Sequence, residues 1–172
     1  YDSKDARVRG GNIRARLRMI TLYNQASLHK GIVASTDNFS ELAAGFWTLH
    51  GDVGDVAPIQ SLTKSWEVPA LSEYMGVPES IISAKPTDGL GVANGDEDQF
   101  GFSYLEFDIA MFSLFENYDI ELDDAKDEAI VDDVKNRINS TVYKRLNPFN
   151  LDHPLDWQRY SNLSKLDDKL RR

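Results

Sequence analysis

The chain has 172 residues, 41% apolar and 27% charged, with no low-complexity tract, which bounds it as one globular domain with room for a core. Its lack of cysteine excludes disulfides, thiolate zinc sites and cysteine nucleophiles and fits the cytoplasm. No apolar run approaches the ~20 residues of a membrane helix, and the polar, charged first ten residues do not read as a secretory signal. A net charge of −9 argues against general nucleic-acid binding. That charge is unevenly spread. Residues 1–30 carry +5 and residues 141–172 carry +3, so the stretch between them carries −17. Basic ends around an acidic middle fit anion-binding groups flanking acids that hold metal, and equally fit solvated helix faces.

Residues 11–30 read as a helix capped at Asn12, with Ile13, Leu17, Ile20 and Leu28 on one arc and Ala15, Met19 and Leu22 on another, at ~100° per residue. A helix apolar on two sides is expected to be sandwiched, for instance between its own sheet and a neighbouring subunit. The run Gly31-Ile32-Val33-Ala34-Ser35 reads as a buried parallel strand entering the loop Thr36-Asp37. Residues 38–47 read as a helix, 50–57 as a Gly/Asp loop, and 63–75 as a helix bent or divided at Pro69. The stretch 87–101, with four glycines and four acids, is expected to be mobile, and 88–101 to act as a lid. Residues 103–116 and 124–140 read as helices, the second with Ile130, Val134 and Ile138 at successive i, i+4 positions. The tail 147–172 reads as irregular, and the whole of 1–172 as a single domain.

One strand has no partner that the sequence makes evident, and a lone buried strand leaves its backbone groups unpaired. Parallel partners need crossover connections. The expectation is that the sheet is encoded upstream, in ~80–120 residues forming three or four βα units of ~30 residues each, or supplied by a separate chain.

Ligands in open α/β sheets collect beyond the carboxyl ends of the strands. Ser35-Thr36-Asp37 holds that position, with Glu41 one turn into the next helix. A hydroxyl and a carboxylate there suit a nucleotide phosphate and its Mg²⁺. The same Asn38-x-x-Glu41 is also a capping box. Asp96-Glu97-Asp98 fails as a calcium loop, because Phe100 and Phe107 occupy ligand positions. The three histidines show no ligand spacing, and no Walker or Gly-x-Ser-x-Gly sequence occurs.

Taken in order, several runs resemble ammonia-dependent NAD synthetases. They are Gly11-Asn12-Ile13-Arg14-Ala15-Arg16, Thr36-Asp37-x-x-x-Glu41, Gly45-Phe46, Gly51-Asp52, Pro58, Leu62-Thr63-Lys64, Lys85-Pro86-Thr87, Asp96-Glu97-x-x-Phe100-Gly101-x-Ser103-Tyr104 and Lys144-Arg145. The resemblance implies an α/β fold, an adenine-nucleotide α-hydrolase-like parallel sheet with flanking helices, of which this chain carries mainly the helical C-terminal part. It implies a homodimer that adenylates the carboxylate of deamido-NAD with ATP and lets ammonia displace AMP. Carried over by position, Thr36, Lys64 and Thr87 contact ATP, Glu41 binds Mg²⁺, and Arg16, Asp55 and Lys144 contact deamido-NAD. Departures are Leu49 where the family usually has Lys, Asn38 and Tyr143 where His is common, and a Gly-Asp loop one residue short. The family's Ser-Gly-Gly-x-Asp-Ser pyrophosphate loop has no counterpart in these residues, so 1–172 alone is expected to lack ligase activity. Two other readings remain open: another ATP pyrophosphatase of the same fold, such as a GMP synthetase, and a non-catalytic relative that only binds nucleotide or a protein partner.

Overall fold

A 26-residue helix, α1 (Lys4–His29), opens the structure, a computed structural model that describes residues 3–87, 95–115 and 125–145. The helix begins well before residue 11, because Ser3 supplies the cap: its side chain accepts from the Ala6 N–H, with Asp5 in the first turn. Asn12 therefore lies inside the helix and accepts instead from the Thr48 hydroxyl at 2.7 Å. Lys30 ends it in the left-handed region at φ 54°, and the Gly31 N–H closes back on the Ala26 carbonyl. Gly11 and Ala15 are buried and Met19 is half-buried, whereas Ile13, Leu17, Ile20, Leu22 and Leu28 are all more than half exposed.

After α1 the chain is extended, with Val33 and Ser35 buried and Ala34 and Ile32 exposed. That alternation is the two-sided pattern of a strand with one covered face, not the doubly covered strand that the sequence suggests. Its partner comes from the Gly/Asp loop: Ala34 pairs in parallel with Val56, and the Ser35 N–H donates to the Val56 carbonyl at 2.8 Å. Among the described residues this single bridge is the only β-pairing, so a parallel sheet is not seen in them. Asp55 extends the junction from both sides, its N–H donating to the Val33 carbonyl and its carboxylate accepting the Val33 N–H. The loop approaches so closely that a Cβ on Gly54 would sit 2.4 Å from the Ser35 nitrogen, so only glycine fits.

Helix α2 (Phe39–Ala44) carries the full capping box between Asn38 and Glu41 and stops at Gly45, whose φ of 63° favours glycine. It thus ends three residues before the 47 that the sequence suggests. Helix α3 (Glu67–Tyr74) starts late for a related reason. Pro69 lies in its first turn, where a missing N–H costs nothing, so the proline neither bends nor divides it. Short helices α4 (Glu79–Ile82) and α5 (Asp96–Phe100) follow, the latter inside the stretch expected to be a loop. Then come α6 (Tyr104–Ser113), α7 (Ala125–Ser140) and α8 (Val142–Arg145). The expected tail 147–172, the central part of the expected lid at 88–94, and residues 116–124 lie outside the described residues.

The core forms where α2, α6 and α7 meet. Ala43 and Ala44 let α2 approach closely, and Phe107, Ala110, Met111 and Val134 fill the space between. A ring of half-buried aromatics, among them Phe39, Phe46, Phe100, Phe102 and Phe112, surrounds it. Three cations then fasten the C-terminal end of α2. Arg137 donates to the Ala44 carbonyl, Lys144 to Gly45 and Trp47, and Arg145 to Leu42 and Ala43. Free carbonyls and the negative end of the helix dipole favour positive charge there. This clamp fixes α2, and α2 carries Glu41 at its other end.

Candidate nucleotide site

A cleft of about 460 Å³ opens where the extended segment ends and α2 begins. Thr36, Asp37, Asn38 and Glu41 line it from that side, Lys64 and Val68 from the next turn and α3, Ala15 and Arg18 from α1, and Thr87 and Asp96 close it. The four positions expected to meet ATP and its metal, Thr36, Glu41, Lys64 and Thr87, therefore share one cleft although they are spread over residues 36–87.

Lys64 stands at its centre. Its ammonium lies 2.5 Å from Glu41 Oε1 and 3.6 Å from Asp96 Oδ2, and 4.5 Å above the ring of Tyr104. All three carboxylate and ammonium side chains are largely withdrawn from solvent, so their attraction is far less screened than that of a surface pair. The other Glu41 oxygen accepts the Asn38 N–H at 3.3 Å, so one side chain serves as both cap and ion-pair partner. The Tyr104 hydroxyl donates to Asp96 at 3.4 Å. Burial, reinforced by the charges of Glu41 and Asp96, raises its pKa and keeps it a neutral donor.

Asp37 adds a further acid. Burial pushes its carboxyl up to about 6, opposed by the Ser35 hydroxyl and assisted by the charges of Glu41 and Asp52. A carboxyl with a raised folded-state pKa favours folding when protonated and disfavours it when ionised. Unfolding free energy is therefore expected to fall as pH rises from about 4 to about 6. Asp37→Asn should flatten that slope in denaturant titrations across this range, and an unchanged slope would contradict the assignment.

Of the positions expected to meet deamido-NAD, Arg16, Asp55 and Lys144, none lines the larger cleft. Lys144 lines a second cleft of about 240 Å³ that shares Phe46, Thr48 and Asp52 with the first. Its ammonium donates to the Gly45 and Trp47 carbonyls at 2.6 Å each, and burial together with nearby Arg137 lowers its pKa. Arg16 lies exposed on α1 and donates to the Leu49 carbonyl at 3.1 Å. Asp55 is occupied at the strand junction, accepting from Val33 and from the Tyr23 hydroxyl. The sequence motifs include Asp37, Asp52, Asp96 and Tyr104 without giving them roles, and Arg18 enters none of them. Arg18 was in principle legible, lying one turn from Ala15 on the helix face that packs inward.

The cleft's donors are hard carboxylate and hydroxyl oxygens, which suit Mg²⁺. Among the described residues no three His, Asp or Glu side chains converge as a metal cage. Mg²⁺ commonly uses one or two carboxylates plus substrate phosphates, so Glu41 at the cleft wall fits that mode.

Against known proteins, residues 1–148 match the family model for NAD synthase. The NH(3)-dependent NAD(+) synthetase of Thermoplasma volcanium is 43% identical over 114 residues, covering 66% of this chain and 47% of that protein. The protein of the same name from Staphylothermus marinus is 36% identical over 144 residues, covering 80% of this chain and 52% of that protein. Among solved structures, an NMN synthetase from Francisella tularensis superposes with a TM-score of 0.72 at 32% identity, covering 86% of this chain and 57% of that one. The NH3-dependent NAD synthetase from Campylobacter jejuni, in complex with the nitrate ion, gives a TM-score of 0.64, also at 32% identity, covering 84% and 56%. The chain spans about half the length of the relatives it matches.

Proposed function

Because this chain belongs to the NAD synthase family, we propose that its larger cleft holds MgATP and serves the ATP-driven amidation of deamido-NAD to NAD in the cytoplasm. The observation that carries this reading is the convergence of Thr36, Glu41, Lys64 and Thr87 on one cleft. In the first step a carboxylate oxygen of the nicotinate attacks the α-phosphorus, the α–β phosphoanhydride bond breaks, and pyrophosphate leaves. In the second, ammonia attacks the acyl carbon, AMP departs with the bond it shared, and the surplus proton passes to water. The first step brings an anion against a polyanion, so its barrier is mainly electrostatic. Glu41 would hold the Mg²⁺ ion, which when bound would screen the phosphate charge. Lys64 supplies a compact positive charge to the phosphates, and Thr36 and Thr87 offer hydroxyls. No side chain acts as nucleophile, since ammonia is one.

Arg16, Asp55 and Lys144 contact deamido-NAD, with Lys144 reaching it from the adjoining cleft. In this reading 32–35 is one strand of the adenine-nucleotide α-hydrolase-like sheet, and exposed Ile32 is covered by it. The test is to supply the intact polypeptide with deamido-NAD, MgATP and an ammonium salt, using the mononucleotide acid as the comparison acceptor because one structural relative is an NMN synthetase. NAD should form with equal amounts of AMP and pyrophosphate. ADP as the product, or preference for the mononucleotide, would overturn the reaction or the acceptor respectively.

The enzyme works as a homodimer through α1. Its Ile13, Leu17, Ile20 and Leu28 arc is exposed, a patch monomers rarely carry, whereas Met19 is half-buried. Leu17→Asp should therefore give monomers in sedimentation. Dimers persisting unchanged would show that this arc is covered in another way.

A further inference from the structure

We infer that Asp108 is a positioning residue for Lys64, acting on MgATP binding from the far side of the lysine's backbone. Asp108 is fully buried on α6, outside the cleft, and the reaction described above makes no use of it. A buried carboxylate is costly unless it is hydrogen-bonded for a reason. Its partners lead to the lysine. Asp108 Oδ2 accepts the Ser65 N–H at 3.2 Å and the Ser65 hydroxyl at 2.5 Å. The Ser40 hydroxyl also stabilises the Asp108 anion against the burial that raises its pKa. That same Ser40 oxygen accepts the Lys64 N–H at 2.9 Å.

The two peptide N–H groups on either side of the Lys64 carbonyl, its own and that of Ser65, are thus both held by side chains, one from α2 and one from α6. The geometry has a second half. Tyr104 lies one helical turn before Asp108 on α6, and its ring sits 4.5 Å from the Lys64 ammonium. One helix therefore holds the lysine at both ends, its main chain through Asp108 and its charged tip through Tyr104. A lysine carries about 2 kcal/mol of rotamer entropy, and a long side chain aims accurately only from a fixed base. Residues 64–66 form a turn closed by the Val68 N–H on the Thr63 carbonyl, and within it the Lys64 and Ser65 N–H groups go to side chains rather than to a backbone ladder. Asp108 adds a constraint at the residue that follows the lysine.

The inference rests on reading the cleft as the MgATP site, and its test separates the two. MgATP affinity is measured by calorimetry on the intact polypeptide for wild type, Lys64→Ala, Asp108→Ala, Asp108→Asn and the double variant Lys64→Ala with Asp108→Ala. Asp108→Ala should weaken binding about tenfold, the scale of hydrogen bonds to a charged group. Asp108→Asn, which keeps an acceptor oxygen, should recover to within about threefold of wild type. In the Lys64→Ala background, Asp108→Ala should change affinity less than about twofold, since groups acting through one residue are non-additive. A merely structural Asp108 would give the same loss in both backgrounds, and that result would overturn the inference. Should Asp108→Ala fail to fold, Ser65→Ala removes one of the two bonds and should show a smaller loss with the same non-additivity. If Lys64→Ala weakens binding while Asp108→Ala and Ser65→Ala do not, the inference fails alone. If Lys64→Ala itself leaves MgATP affinity unchanged, the cleft is not the ATP site and both readings fall.

Discussion

Glu41→Gln should slow adenylation by about 10²-fold or more, the loss typical of one removed charge-stabilising group, while thermal stability changes little. The two effects separate because the side chain has two jobs on two oxygens. Oε2 closes the capping box on the Asn38 N–H, and an amide carbonyl of the same length can accept that bond. Oε1 pairs with Lys64 at 2.5 Å, and only the charge serves that pairing and a Mg²⁺ ion. Losing the pair still leaves Lys64 with Asp96 at 3.6 Å and the Tyr104 ring beneath it. The lysine therefore keeps a compensating charge, and the cost to the fold stays well below the about 3–5 kcal/mol of stranding a buried charge. Pyrophosphate exchange into ATP reads the first effect and a thermal melt the second. Wild-type exchange in Glu41→Gln would show that this carboxylate is only a cap.

Phe107→Ala should lower stability by about 3–5 kcal/mol, a large part of the ~5–15 kcal/mol that holds a typical domain folded. Phe107 is fully buried where α2, α6 and α7 meet, beside Met111 and Val134, with Phe100 and Phe102 ranged against its ring. Val134 comes from α7 and Met111 from α6 itself, and both are fully buried, which leaves little freedom to fill the space. The loss should also reach the site, since Tyr104 and Asp108 flank Phe107 on the same helix and hold Lys64. Urea titration measures the change. A loss below about 1 kcal/mol would mean that the helices pack around something other than this ring.

The parts of the fold legible in the sequence were those set by local chemistry. The capping box at Asn38 and Glu41 and the period of α7 each depend on residues within a few positions of one another, whereas the stop at Gly45 was missed. Its start at Ser3 was obscured by Gly10 and Gly11, which look like breakers but sit inside α1, with Gly11 buried at the cleft. The strand partner was not legible either. Val56 belongs to a loop with no period, and what brings it to Ala34 is the long-range bond pair between Asp55 and Val33, made possible by the bare backbone of Gly54.

The site divides in the same way. Glu41 and Thr36 could be argued from their position after a strand, and Lys64 and Thr87 came only with the family resemblance. That Asp96 and Tyr104 would reach Lys64 depends on how α5 and α6 fold back onto the cleft, which no local pattern encodes. Arg137, Lys144 and Arg145 read in sequence as basic residues near a helix end, yet all three turn to carbonyls at or just past the end of α2, about a hundred residues away.

The claim on which the rest depends is that MgATP sits between Glu41 and Lys64. Crystals of the intact polypeptide soaked with magnesium and a non-hydrolysable ATP analogue test it directly. Difference density for the triphosphate should lie in the cleft walled by Thr36, Glu41, Lys64 and Thr87, with the metal against the Glu41 carboxylate. Triphosphate density in the adjoining cleft against Lys144, or at a site that leaves the Glu41–Lys64 pair untouched, would contradict the account.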